Sequence, residues 1–150
     1  MRAVVQRVSS ANVSINGAVH GAIEKGLLIL LGVEAGDAAS DGSWLAKKIA
    51  QLRIFPDDAG LMNLSINEAG GQMLVVSQFT LHASYKKGNR PSFLQAAKSD
   101  EAIPLYEAFV RDCEALTGKP VPTGAFGADM QVSLTNDGPV TIILDSRRPA

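Results

Sequence analysis

The sequence predicts an α/β fold, and three observations carry that reading. Three to four strand-like segments precede the first helical pattern, and strands and helices then alternate, an order that suits helices packed on one side of the sheets. The run Leu27-Leu28-Ile29-Leu30-Leu31-Gly32-Val33 is apolar on both sides, as a central strand covered on both faces must be. Two later segments repeat apolar residues at helical spacing: Leu45, Ile49 and Leu52, then Leu105, Phe109, Cys113 and Leu116.

Taken in order, Val4, Val8, Val13 and Ile15 belong to β-rich segments, with a bend or bulge expected at Ser9-Ser10-Ala11. Asn16-Gly17 between Val13-Ser14-Ile15 and Ala18-Val19 predicts a hairpin through a type I′ turn, because both central positions of that turn need positive φ. The first helix turns Lys47 and Lys48 to water, and Trp44 reads as a packing residue. Pro56-Asp57-Asp58-Ala59-Gly60 is a turn whose acid pair lacks the further ligands of a metal site. A short strand is expected at Asn63-Leu64-Ser65-Ile66 and a buried one at Met73-Leu74-Val75-Val76, followed by irregular chain from Gln78 to about Ser92. Ser99-Asp100-Glu101 opens the second helix with negative charge at its positive end, Pro104 is expected in its first turn, and Gly118-Lys119-Pro120 stops it. Cys113 reads as a small core residue. Met130-Gln131-Val132-Ser133-Leu134 and Val140-Thr141-Ile142-Ile143-Leu144 then predict a final hairpin, with Asp145 to Ala150 as a tail.

At 150 residues the chain fits one domain, large enough to bury roughly two thirds of its unfolded surface. Hydrophobic content of 46% and charge of 19% exclude a disordered chain. No apolar run reaches membrane-spanning length, no signal peptide is evident, and the lone Cys113 excludes an internal disulfide, so a cytoplasmic protein without membrane contact is expected. A net charge of −1 argues against non-specific coating of nucleic acid. Its distribution matters more: between Ala69 and Ser99 there is no acid, while Lys86, Lys87, Arg90 and Lys98 all fall there. Such a patch acts locally, within a Debye length of about 8 Å.

Two stretches stand out chemically. The strand at 73–76 empties into Ser77-Gln78-Phe79-Thr80, which places two hydroxyls, an amide and an aromatic at the end of a core strand. Near the C-terminus, Asn136-Asp137-Gly138-Pro139-Val140-Thr141 reads by spacing as a connector, yet a Gly-Pro pair also offers bare carbonyl oxygens to a ligand. With these motifs the sequence closely resembles the D-aminoacyl-tRNA deacylases, the chirality-proofreading enzymes of translation. The likeness extends through the opening Met1-Arg2-Ala3-Val4-Val5-Gln6-Arg7-Val8, Leu52-Arg53-Ile54-Phe55 and Lys87-Gly88-Asn89-Arg90-Pro91-Ser92-Phe93.

The resemblance implies three layers, β/β/α, with sheets curling toward a barrel and two main helices on one side. It implies hydrolysis of the ester of D-aminoacyl-tRNA, and of mischarged glycyl-tRNA, with L-aminoacyl-tRNA rejected and no cofactor or metal. It further implies a homodimer in which a cis Gly138-Pro139 peptide enters the partner's site, where its carbonyls hold the substrate ammonium and leave no volume for an L side chain. Ser77, Gln78, Phe79 and Thr80 would form the catalytic region, Phe126 and Met130 the walls for the 3′-terminal adenine, and Lys86, Lys87 and Arg90 phosphate contacts. By residue type alone, Phe126 and Met130 read more readily as core.

No Gly-x-Ser-x-Gly elbow, Walker loop, HExxH or paired-cysteine zinc site is present. His82, two residues past Thr80, is the one imidazole near the candidate site, while His20 lies in the first hairpin. An aminoacyl ester is already activated, so positioning, an oxyanion hole and a water suffice. Backbone N–H groups around Phe79 and Thr80 suit that hole; in the family the terminal 2′-hydroxyl of the RNA is thought to assist, and Thr80 has also been viewed as a nucleophile. The sequence leaves both readings open. Two other classes stand beside them: a small ester or amide hydrolase using Thr80 or Ser77, and a non-catalytic RNA-binding module built on the Lys86–Arg90 loop with Tyr85 and Phe93.

Overall fold

A computed structural model describes residues 1–150. The fold is built on β1 (Arg2–Ile15), a strand long enough to serve two layers. Its first half pairs antiparallel with β3 (Gly26–Gly32), with Val5 opposite Ile29, and its second half pairs with β2 (Ala18–Ile23). The register breaks around Ser9 and Ser10, where the sequence places the bend. The β1–β2 hairpin forms as expected, with Asn16 at φ 51° and Gly17 at φ 79°. β6 (Gln72–Ser77) runs parallel to β3 and completes that layer.

Burial explains why β3 is apolar throughout. Leu27, Ile29 and Leu31, with Met73 and Val75 of β6, join the main core under the helices α1 (Ala39–Gln51) and α3 (Ser99–Thr117). Leu28, Leu74 and Val76 point the other way, onto Val8, Ala11, Val13 and Ile23 of the folded-over strands. The sheet is thus a half-barrel with its own small core, and the helices form the third layer. No helix is long and apolar enough to cross a membrane.

Several local expectations are corrected. The expected final hairpin is absent: both runs belong to one strand, β7 (Gln131–Asp145), which pairs with β1 on both sides of a bulge. Val132 faces Val13 and Ile142 faces Val5, and the residues between Asn136 and Thr141 bulge out opposite Arg7. A turn signal in the sequence says that the chain leaves its line, whereas the neighbour it pairs with is decided by the 14-residue β1. Asp145 is no tail: it is buried at the end of β7 and accepts from Arg2 Nε at 3.1 Å.

On α3 the buried stripe is Ala102, Tyr106, Phe109 and Cys113, while Leu116 is 39% exposed. The helix rolls its last turn toward solvent, and the Tyr106 hydroxyl reaches the Val75 carbonyl at 3.1 Å, so a polar-tipped ring takes the inner place. Burial pushes the Tyr106 hydroxyl to about 12, against a lowering hydrogen bond with Thr123, and so keeps it a donor. Burial, aided by Asp112 and Glu114, also pushes the Cys113 thiol to about 12, in keeping with a core residue. Pro104 lies within the helix, beyond its first turn. Trp44 is half-exposed, with the Lys48 ammonium 5.9 Å from its ring centroid.

The two-stranded sheet of β4 (Phe55–Pro56) and β5 (Met62–Leu64) flanks the Asp57 turn. A short helix α2 (Ile66–Ala69) replaces the end of the strand expected at 63–66. Its signal was present in the sequence: Ser65 and Glu68 form a capping box, with Glu68 N donating to Ser65 Oγ at 3.3 Å.

Candidate active site

β6 delivers the first motif. Its last residue, Ser77, pairs with Leu31 at the end of β3, and Gln78 N donates to the Leu31 carbonyl at 2.7 Å. The chain then tightens into a 3-10 turn, Phe79–His82. This turn lies so close to β3 that a Cβ on Gly32 would meet the Gln78 carbonyl oxygen at 2.9 Å and the His82 ring at 3.0 Å. A glycine at 32 is therefore a condition of the site's geometry.

The turn is braced from below. Arg2 Nη1 donates to the Leu81 carbonyl at 2.6 Å, and its Nε and Nη2 grip Asp145 Oδ2. His82 is buried, with Nε2 3.0 Å from the Gly32 carbonyl. A carbonyl only accepts, so Nε2 carries the proton there, and the imidazole serves the fold. The hydroxyl of Thr80 is met instead by the Gln78 side-chain amide. No turn or loop hydrogen bond engages the N–H groups of Phe79 or Thr80, as expected for the first donors of a helical turn.

A cavity of about 300 Å³ opens beside this turn. Ser77, Gln78 and Phe79 line one side, and Phe126, Met130 and Val132 line another, with Tyr106 between. The structure thus brings together five of the residues singled out in the sequence, while Thr80 stands exposed at the turn next to them. Phe79 and Phe93 meet edge to face, centroids 5.1 Å apart. Met130 presses its sulfur on Gly124, where an added Cβ would collide with Sδ. Phe126 stacks edge-on against Tyr106 at 6.0 Å. Both Phe126 and Met130 are partly buried, so they act as cavity wall and core margin at once.

Gly138 and Pro139 are not part of this cavity. Their peptide is cis, and they form the exposed crest of the β7 bulge. The bulge is held by a residue that the sequence reading gave no separate role. Arg7, almost fully buried, donates to the carbonyls of Ile54 at 2.7 Å and Asp137 at 3.1 Å, and its guanidinium lies 3.4 Å from the Asp137 carboxylate. Asn136 Nδ2 closes the base by donating to the carbonyls of Arg7 and Val140, each at 3.0 Å. The available signal was an arginine set between inward-facing Val5 and Val8, a position that needs buried carbonyls to satisfy it. Arg2 braces the first motif and Arg7 the second; they lie five positions apart along the strand, about 17 Å.

Lys86, Lys87 and Arg90 are exposed in a loop pinched at its base by mutual hydrogen bonds between Ser84 and Ser92, both 2.8 Å. None of the three is in an ion pair, and none lines the cavity. No cluster of three His, Cys, Asp or Glu residues is placed to hold a metal ion.

Comparison with known proteins decides the family. The family model described as D-Tyr-tRNA(Tyr) deacylase matches residues 4–145. The chain belongs to that family. A D-aminoacyl-tRNA deacylase of Parabacteroides distasonis is 60% identical over 147 residues, covering 98% of each chain. The enzyme of the same name from Chromobacterium violaceum is 58% identical over 149 residues, 99% of each. Among solved structures, the c-Myc DNA Unwinding Element Binding Protein superposes with a TM-score of 0.91 at 38% identity over the full length of both chains. A probable eukaryotic D-amino acid tRNA deacylase shares the fold, with a TM-score of 0.80 at 17% identity over 95% of this chain and 97% of that one. The protein is thus a D-aminoacyl-tRNA deacylase by family, a hydrolase acting on aminoacyl-tRNA.

Proposed function

We propose that this deacylase reads the chirality of its substrate with a site assembled from two copies of the chain, in the cytoplasm, as a proofreading step of translation. The observation that carries the proposal is the position of Gly138-Pro139: it crowns an exposed bulge, braced by a buried arginine, yet lies outside the cavity of its own chain. A homodimer that seats this crest at the mouth of the partner's cavity completes each site.

In this reading the terminal adenine enters the cavity between Phe126 and Met130, which brings the ester to the Phe79–His82 turn. The N–H groups of Phe79 and Thr80 donate to the developing oxyanion, while Ser77 and Gln78 line the approach. Water adds to the carbonyl carbon, the ester C–O bond breaks, and the 3′-oxygen leaves with a proton, giving free amino acid and tRNA. No side-chain nucleophile is needed for so activated an ester.

Selection is by exclusion. With the ammonium held at the Gly138-Pro139 carbonyls and the ester at the turn, two of the four substituents are fixed. Inverting the centre exchanges hydrogen and side chain and drives the side chain into the Gly-Pro wall. Glycine presents only hydrogen, so the filter passes it. A pocket that instead attracted D side chains would scale with their size, about 0.8 kcal/mol for each buried methylene. Single-turnover hydrolysis of D-Ala-, D-Tyr-, D-Asp-, Gly- and L-Tyr-tRNA tests the reading. Comparable rates for the D esters, measurable turnover of glycyl-tRNA and almost none of L-Tyr-tRNA are expected, whereas equal rates for D- and L-Tyr would end it.

A further inference from the structure

A second cavity, of about 330 Å³, adjoins the first and shares two of its walls, Tyr106 and Phe126. Its remaining lining differs in kind: Val110 is apolar, while Glu107 and Arg111 bring opposite charges. These two sit one turn apart on α3, the i, i+4 spacing at which a helix usually pairs such charges. Here neither side chain enters an ion pair, and neither makes a hydrogen bond with the protein. An acceptor and a five-donor fork thus remain free at the rim of a cavity walled by two aromatic rings.

The substrate is a polynucleotide, so the nucleotide before the terminal adenosine must lie next to whatever holds that adenosine. Adjacent cavities with a common aromatic partition match that requirement. We propose that the second cavity receives the penultimate base of the tRNA, a cytosine in the common CCA end, with its edge read by Glu107 and Arg111. The inference rests on the placement of the terminal adenine in the first cavity.

The chemistry fits cytosine on both sides of its pairing edge. Its N4 amino group donates to the Glu107 carboxylate, and its O2 and N3 accept from the Arg111 guanidinium. Phe126 and Val110 supply apolar contact for the ring, as single-stranded recognition commonly does with aromatic side chains. Uracil carries a carbonyl at C4, which would face the carboxylate oxygen to oxygen. Reading the penultimate base would let the enzyme engage the shared end of all tRNAs without regard to the amino acid attached.

The test compares kcat/KM for D-Tyr-tRNA whose penultimate base is C with the same tRNA carrying U there. The wild-type protein is expected to favour C by roughly tenfold, the effect of one well-made polar base contact, and to do so mainly through KM. Glu107→Gln should erase or reverse the preference, because its amide can donate to the uracil carbonyl, and Arg111→Ala should lower the C:U ratio. Both residues are exposed, so folding, followed by circular dichroism, should be retained. Equal kcat/KM for the two tRNAs with wild-type protein, or a ratio that neither variant moves, overturns the subsite. A protein that hydrolyses neither tRNA refutes the deacylase reading itself, an outcome distinct from loss of the base preference.

Discussion

Arg2 Nη1 and the Leu81 carbonyl lie 2.6 Å apart, which ties the first strand of the chain to the turn that carries Phe79 and Thr80. The same guanidinium is gripped by Asp145, so the two ends of the fold meet beneath the Phe79–His82 turn. Burial raises the Asp145 carboxyl, but hydrogen bonds from the Arg147 N–H, from Arg2 and from the Arg148 N–H outweigh it and hold the group below its ordinary 3.8. A carboxylate depressed in the native state stabilises it fully above the unfolded value, about 3.9, and loses that contribution as pH falls through the native value. Asp145→Asn should therefore cost about 1–3 kcal/mol at pH 7, and the gap from wild type should shrink as pH falls through the lowered native value. Urea midpoints across that pH range measure it.

The proposed two-chain site predicts complementation. A chain with Gly138→Trp, which blocks the crest, and a chain with Thr80→Pro, which deletes one proposed oxyanion donor, should each be inactive alone. Mixed and refolded together they should regain up to about a quarter of wild-type activity, since half of the dimers are mixed and each holds one intact site. A fully active monomer by light scattering contradicts the proposal.

Thr80 itself separates side chain from backbone. Its hydroxyl meets only the Gln78 amide, and its N–H is free of turn and loop bonds. Thr80→Ala should keep much of the single-turnover rate, whereas loss of an essential nucleophile would lower it by several orders of magnitude. A trapped acyl-enzyme on Thr80 or Ser77 would refute the nucleophile-free route.

The basic loop predicts a salt effect. Lys86, Lys87 and Arg90 are exposed and unpaired with any acid. Replacing all three by Ala should raise KM and flatten its dependence on salt, by up to about one unit of log–log slope for each phosphate contact removed. An unchanged slope would mark the cluster as a solvated face.

What the sequence determined by itself was local. The Asn16-Gly17 hairpin, the stop of α3 at Gly118 and the apolar runs of β3 and β6 follow from backbone preference and periodicity, which neighbouring residues encode. The two motifs, too, were legible as residue types out of place in a core strand or a simple turn. Which elements meet was decided only by the tertiary structure. Residues 130–134 and 140–144 look like the arms of a hairpin, but each finds more ladder partners on β1 than on the other, so the Gly-Pro turn becomes an outward bulge. Arg7 and Arg2 look like ordinary strand arginines until the fold surrounds them with carbonyls and carboxylates from residues up to 143 positions away. Tyr106 rather than Leu105 takes the inner place on α3, where a carbonyl of β6 waits at the right height for its hydroxyl. Contacts of that separation leave no periodic trace in the chain; they exist only once burial has set the partners side by side.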